Sequence, residues 1–221
     1  ARPESWMFQH PCVDVARMHA EALGVRWVAV EVIEGMNDLD ALEDVLTHEL
    51  TLAKDAGCPI GGLVSGAIAS DYQKVRIDKI GARLGIPTFT PLWHHDPETH
   101  LRAVCEAGLD ARIVHTAADG LDEWWIDFQL CKPLPLDRPE RHFDCGHQRL
   151  HEVARRHRFR EDGEGGEFET TVVNAPWMEQ AIALDGATSM TGSTSTFELE
   201  SAAWSDDGAF TDSHRASAPD D

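Results

Sequence analysis

The chain has 221 residues and is 42% hydrophobic, enough apolar side chain for one large domain or two small ones. Its 39 acidic residues against 19 lysines and arginines give a net charge of −20, a surface that repels nucleic-acid phosphate and anionic lipid. No apolar run approaches the length of a membrane-spanning helix, so neither nucleic acid nor membrane is an expected partner.

Residues 1 to 11 read as irregular, broken by Pro3 and Pro11. Val13, Ala16, Ala20 and Leu23 mark an amphipathic helix closed by Gly24. Trp27–Ile33 is rich in β-branched residues and predicts a strand. Leu39, Leu42, Leu46, Leu50 and Ala53 predict a second helix, capped near Asp38 and stopped by Gly57. Gly61–Val64 then reads as a short strand closed by Ser65-Gly66. Ser70 and Gln73 have the spacing of a capping box, and Ile77, Ile80 and Leu84 give the following helix an apolar face. Gly85 ends it, and Ile86–Thr90 resumes as a strand. Asp96-Pro97 opens a helix to Gly108, and DARIVHTA at 110–117 reads as a strand. Alternation of helix and strand to residue 118 predicts an α/β parallel layer. Beyond it the Trp- and Pro-rich run WWIDFQLCKPLPLDRPE reads as a boundary. A helix at His147–Arg158 and strands at Glu169–Asn174 and Thr194–Trp204 follow, then an acidic tail, Ser205–Asp221, expected to be disordered. The expected domains are therefore 1–118, 119–204 and a 205–221 tail.

The stretch Gly61 to Trp93 is the centre of this organisation. A strand, turn, helix and strand of this length imply a parallel pair with a crossover helix. Ligands of open parallel sheets sit beyond the carboxyl ends of the strands, often at helix N-termini. The SGAIASDYQ turn occupies that place. An ordinary capped crossover without a ligand satisfies the same geometry.

Gly62, Gly66, Ala67, Ile68, Ser70, Tyr72, Gln73, Arg76 and Pro91-Leu92-Trp93 resemble a hallmark segment of the diphthine–ammonia ligase (diphthamide synthase) family. GEGGEFET at Gly163–Thr170 resembles the family's other hallmark, and MFQHP at Met7–Pro11 a weaker third. The three lie in family order. The resemblance implies a Rossmann-like nucleotide-binding domain of the adenine nucleotide alpha hydrolase type, followed by an α+β substrate domain. It implies an ATP-dependent ligase in the cytoplasm that uses magnesium. Such an enzyme amidates diphthine, a modified histidine on translation elongation factor 2, with ammonium. Diphthamide, AMP and pyrophosphate are the products. A carboxylate is a poor electrophile, and transfer of adenylate to it creates the leaving group that ammonia displaces.

The resemblance carries roles residue by residue. Met7, Phe8, Ser65 and Gly66 are expected to hold the nucleotide. Ser70, Asp71, Tyr72, Gln73, Gly165 and Gly166 are expected at the substrate. Arg76, Glu164, Glu167 and Glu169 are the expected catalytic groups. Arg76 suits a phosphate or carboxylate, and the glutamates suit ammonium, magnesium or the imidazole-derived substrate. Tyr72 is the sole tyrosine. The family's glycine-rich pyrophosphate loop, with its strand, has no counterpart here. The chain also opens on Ala1, so a fragment or a processed start is expected. Asp127 stands where the family pattern expects glycine, Thr171 where it expects leucine, and His94-His95 where it expects an amide or basic pair. The alternative is a catalytically inactive truncated homologue, acting as a binding module or surviving as a gene remnant.

The five cysteines, Cys12, Cys58, Cys105, Cys131 and Cys145, are odd in number and include no CxxC, which predicts free thiols in a reducing cytosol. A rival metal site would draw on Cys131, His142, Cys145, His147 and His151, although their spacing fits no standard zinc pattern and no metal ligand is assigned. Lysine is scarce, at Lys54, Lys74, Lys79 and Lys132, and a lysine-poor acidic surface suits a high-salt cytoplasm. A halophilic chain of this kind is expected to lose its circular-dichroism signal as salt is removed. Full retention of structure in salt-free buffer would mark an ordinary acidic protein.

Overall fold

The computed structural model describes residues 7–9, 11–30, 32, 35–131, 145–206, 208 and 210–212. In chain order these form α1 (Val15–Ala22), α2 (Asp38–Asp55), β1 (Leu63–Val64), α3 (Asp71–Leu84), β2 (Thr88–Phe89), α4 (Pro97–Glu106) and β3 (Asp110–Thr116). A 3-10 turn (Glu123–Trp125) precedes α5 (Gly146–His157), β4 (Phe168–Asn174), β5 (Ala181–Thr191), β6 (Thr194–Ser205) and β7 (Phe210–Asp212). The chain divides into two compact units, Ala1–His10 with Val28–His95, and Pro11–Trp27 with Asp96–Asp221.

In the first unit, Asn37 caps α2 by accepting the Leu39 and Asp40 N–H groups at 2.9 Å each. Ser70 caps α3 through the Gln73 N–H at 3.3 Å, and Gly85 ends it at φ +70°. Ile77 and Ile80 of α3 are buried. A Cβ at Gly81 would stand 2.4 Å from Thr88 Cγ2, so glycine is what lets α3 lie against β2. Asp78 fastens the same contact, accepting from Lys74 Nζ and Thr88 Oγ1 at 2.6 Å each. Those two hydrogen bonds, Lys74 first, hold its carboxyl below the usual carboxylate range. Arg83 on α3 pairs with Glu43 on α2. β1 and β2 run parallel, Leu63 beside Thr88 and Val64 beside Phe89. The strand–helix–strand crossover expected from Gly61–Trp93 is therefore present.

The wider parallel layer needs correction. The expected strand at Trp27–Ile33 is not seen in its described part: residues 25–30 have no regular structure, and Glu31 and Ile33 lie outside the described residues. Val25, Trp27 and Val30 are exposed, and β-branched propensity makes no strand without a neighbour to bond. β3, expected in that layer, joins instead a five-stranded sheet of order β4-β3-β6-β5-β7 in the second unit. It is antiparallel to both neighbours.

β5 and β6 form a long antiparallel hairpin whose two-residue turn starts at Gly192, φ +65°. The sequence reading identified only its second arm. β7 pairs parallel to β5, Leu184 beside Phe210, so disorder does not begin at Ser205. Residues 213–221 lie outside the described residues. Two cores flank the sheet. One gathers Val15 and Met18 of α1 with Val114, Ile182, Leu184 and Phe197. The other gathers Leu101 of α4, Ile113, Trp125, Leu150 of α5 and Phe168.

Arg112 on β3 is only 5% exposed. It donates to Asp127 Oδ1 at 2.8 Å, to Asp110 Oδ2 at 3.0 Å and to the Gly208 carbonyl at 3.1 Å. Asp127 sits at φ +64°, which explains why a glycine suits that position. Cys105 and Cys131 form a disulfide with Cα atoms 4.8 Å apart, correcting the expectation of five free thiols. Cys12, Cys58 and Cys145 remain free. Among the described residues no helix is long and apolar enough to cross a membrane.

Asn tolerates left-handed backbone, so Asp127→Asn isolates the loss of charge beside Arg112. It is expected to cost about 2 kcal/mol in chemical denaturation, and a loss under about 0.5 kcal/mol would contradict the role given to this pair.

Candidate functional site

The first group of expected site residues gathers at the N-terminus of α3. β1 ends at Val64, and Ser65 opens the turn by accepting the Ala67 N–H at 3.3 Å. Ala67 and Ile68 turn inward and are buried. The Ile68 carbonyl accepts the His94 N–H at 2.7 Å, which draws the Pro91–His95 segment against the turn. Gly66 has no atom within 4 Å of the place a Cβ would take, leaving its backbone open to a ligand. The Gln73 side chain donates to the Met7 carbonyl at 3.3 Å. Residue 7, expected at the nucleotide, and residue 73, expected at the substrate, are thus brought together. Met7 is buried, and Phe8 is exposed.

Asp71, the first residue of α3, is exposed, as is Tyr72. The Arg76 guanidinium lies over the Tyr72 ring, 3.3 Å from its centroid, and donates to the Tyr72 carbonyl at 3.0 Å. This stacking pre-orients a planar cation one turn into the helix. Trp93 stacks on His94, with Lys74 Nζ 5.6 Å from its ring. A capped helix N-terminus, an approachable glycine backbone and a stacked arginine together suit an anionic group such as phosphate or carboxylate.

The second group lies in the other unit, on the loop entering β4. Glu167 is engaged by the loop itself: its carboxylate accepts the Arg160 N–H at 3.1 Å and the Gly165 N–H at 2.8 Å. Gly163 and Gly166 hold φ +71° and +82°, and a Cβ at Gly163 would meet the Phe168 carbonyl at 2.8 Å. Glu167 and these glycines fix the loop's path. Glu164 lies beside Asp162, whose Oδ1 accepts its N–H at 3.3 Å. Glu169 stands on β4, with His115 of β3 as its cross-strand partner.

His115 was not singled out in the sequence, though it interrupts the apolar run of its strand. Its Nδ1 is 2.8 Å from Thr196 Oγ1 on β6. Burial holds it below its ordinary value of 6.5, against a smaller opposing pull from Glu198. Beside it, Thr116 and Ser195 are paired across β3 and β6. Both are buried, with hydroxyls that find no partner among the described residues. Burial, aided by Glu198, Glu169 and Asp14, pushes the Cys12 thiol up to about 12. A neutral imidazole flanked by Glu169 and Thr196 can accept or relay a proton near neutrality.

The rival metal reading gains nothing: no group of three or more His, Cys, Asp or Glu among the described residues could hold an ion. Cys131 is tied up in the disulfide, His151 pairs with Glu161, and His142 lies outside the described residues.

Comparison with known proteins converges on one class. The diphthamide synthase N-terminal domain family matches residues 1–88. A Bos taurus protein named diphthine–ammonia ligase is 33% identical over 158 residues, 72% of this chain and 54% of its own length. The Danio rerio protein of that name is 30% identical over 207 residues, covering 88% of this chain and 74% of itself. That of Saccharomyces cerevisiae is 26% identical over 200 residues, 80% of this chain but 27% of its own length. The chain thus spans about half of its bovine relative. These are relatives of a ligase class in diphthamide biosynthesis. The chain belongs to the diphthine–ammonia ligase family.

A histidine whose folded value lies below its unfolded value binds fewer protons when folded, so it costs stability as pH falls below about 6.5. Wild type is therefore expected to lose more stability than His115→Asn between pH 7 and pH 5, read as the difference in unfolding free energy. Parallel pH profiles would contradict the buried neutral state.

Proposed function

We propose that this chain supplies an ATP-dependent diphthine–ammonia ligase with its nucleotide- and substrate-holding parts. The reaction amidates diphthine on elongation factor 2 with ammonium, giving diphthamide, AMP and pyrophosphate. The reading rests on one observation above others: the Ser65–Gln73 turn lies beyond the end of β1 and at the N-terminus of α3, in the segment that carries the family hallmark. Phosphate is favoured there by the partial positive charge of the helix N-terminus.

ATP, with magnesium, supplies the activated group that turns a carboxylate oxygen into a leaving group. The rest belongs to the chain. The Ser65-Gly66 backbone takes the phosphate side of the nucleotide, with Met7 and Phe8 alongside. Arg76, stacked on Tyr72, stabilises negative charge on phosphate or substrate carboxylate. Ser70, Asp71 and Gln73 shape the first turn of α3, where the substrate is held. In the second unit Glu167 and Gly163, Gly165 and Gly166 hold the loop that presents Glu164, and Glu169 with His115 offers a place to receive a proton from ammonium. The first unit thus serves the nucleotide and part of the substrate, the second unit's loop serves the substrate as well, and the setting is the cytoplasm, where elongation factor 2 works.

The test uses the protein carrying this chain with ATP, magnesium, ammonium and diphthine-bearing elongation factor 2. AMP release is expected only when ammonium and the factor are both present. Arg76→Ala is expected to lower it by about tenfold or more with the fold intact. No AMP under any condition would contradict the ligase reading and favour a non-catalytic binding module. Undiminished release by Arg76→Ala would remove that residue from the site.

A further inference from the structure

The second unit also holds a cluster of sulfur and imidazole that the ligase chemistry does not use. Cys145 caps α5 at its N-terminus as a free, half-buried thiol, and its side chain makes no bond to the helix it caps. Its Sγ is instead in hydrogen-bond contact with His147 Nδ1. Burial holds His147 below its ordinary value of 6.5; Glu98 and Glu161 oppose this, and Arg102 and His151 add to it. Near neutrality this imidazole can therefore accept a proton.

The other two cysteines of the region, Cys105 on α4 and Cys131, form the disulfide. Several contacts set the start of α5 beside it. A Cβ at Gly146 would stand 2.2 Å from the Gln129 carbonyl and 3.0 Å from that of Leu130. The residue after Cys145 thus lies directly on the two residues before Cys131. The same Leu130 carbonyl is 3.7 Å from Cys105 Sγ. From the α4 side, Glu98 and Arg102, whose charges reach His147, share one helix face with Cys105 at i, i+4 and i+7.

We propose that Cys145, His147 and the Cys105–Cys131 disulfide form a thiol–disulfide exchange site. The Cys145 thiol gives its proton to His147 Nδ1 and its sulfur attacks Cys105 Sγ. The Cys105–Cys131 bond breaks as a Cys105–Cys145 bond forms, and Cys131 leaves as a thiolate that takes the proton from His147. One disulfide and one thiol stand on each side of the step, so no oxidant or reductant enters. The partial positive charge at the start of α5 favours the negative charge that develops on Cys145. Cys105 is the attacked sulfur because it lies against the carbonyl on which α5 begins and on the α4 face that His147 senses. Cys12 does not compete, since it is buried and its thiol is pushed up to about 12. The exchange moves the covalent tie of α4 onto α5, whose His151 pairs with Glu161 at the entry to the hallmark loop. The inference uses none of the ligase chemistry, so either can fail without the other.

Cys58 is exposed and can attack from a second molecule, so the test uses the full protein with Cys58→Ser. It is held near neutral pH with iodoacetamide and no added thiol, and alkylated and cross-linked peptides are mapped over time by mass spectrometry. Alkylation of Cys131 and a Cys105–Cys145 cross-link are expected, at rates independent of protein concentration. Adding Cys145→Ser is expected to abolish both without changing the circular-dichroism spectrum. Adding His147→Gln is expected to slow the labelling of Cys131 by about tenfold or more. Full alkylation of Cys145 with Cys131 untouched, labelling of Cys131 that survives Cys145→Ser, or prompt labelling of Cys105 and Cys131 together would each overturn the proposal. Label on Cys105 in place of Cys131 would overturn the choice of attacked sulfur.

Discussion

The second unit depends on the double burial of β3. Ile113 and Val114 are adjacent in sequence and both fully buried, one in each core, so this strand separates two apolar layers and belongs to both. On a strand buried on both faces a charged or strongly polar side chain is costly unless it is paired or neutral. Arg112 answers this with two carboxylates and a carbonyl drawn from three segments. His115 answers it by remaining neutral beside Thr196. The strand's irregular register with β4, shifted between Ile113 and His115, is what sets Glu169 opposite that histidine. The place of Glu169 beside His115 is thus inherited from how β3 is packed.

The first unit is governed by a smaller constraint, the close approach of α3 to β2 at Gly81. With that contact made, the crossover presents the N-terminus of α3 beyond β1, and the Gln73 bond to Met7 brings an otherwise distant segment of chain to the same place. The strands themselves contribute only two residues each. The helix, its serine cap and its glycine stop carry most of the organisation.

Those local signals were legible in the sequence. Ser70, Gly85 and Asp96 impose backbone conditions that act over a few residues, and helix caps announce themselves for that reason. Partner choice between strands was not legible. DARIVHTA reads correctly as a strand, yet nothing in it says that it pairs antiparallel with β4 and β6 rather than parallel with β1. The first arm of the β5–β6 hairpin, ALDGATSM, mixes small and polar residues and gains its strand character from the arm that faces it. The Cys105–Cys131 pairing likewise arises from packing, not from spacing. At the site, the motif residues of 65–76 proved to be neighbours. Glu167 turned out to be engaged by its own loop, and His115, hidden in an apolar strand, emerged only from the register.

The central claim is that the turn from Ser65 to Gln73 receives the phosphate side of a nucleotide. Hydrogen–deuterium exchange of the protein with and without ATP–magnesium tests it most directly, because it reads backbone N–H groups, the atoms assigned to the task. Added nucleotide is expected to slow exchange across residues 65–73 and at the Met7 and Phe8 amides. Unchanged exchange there at saturating nucleotide, or protection confined to another part of the chain, would contradict it.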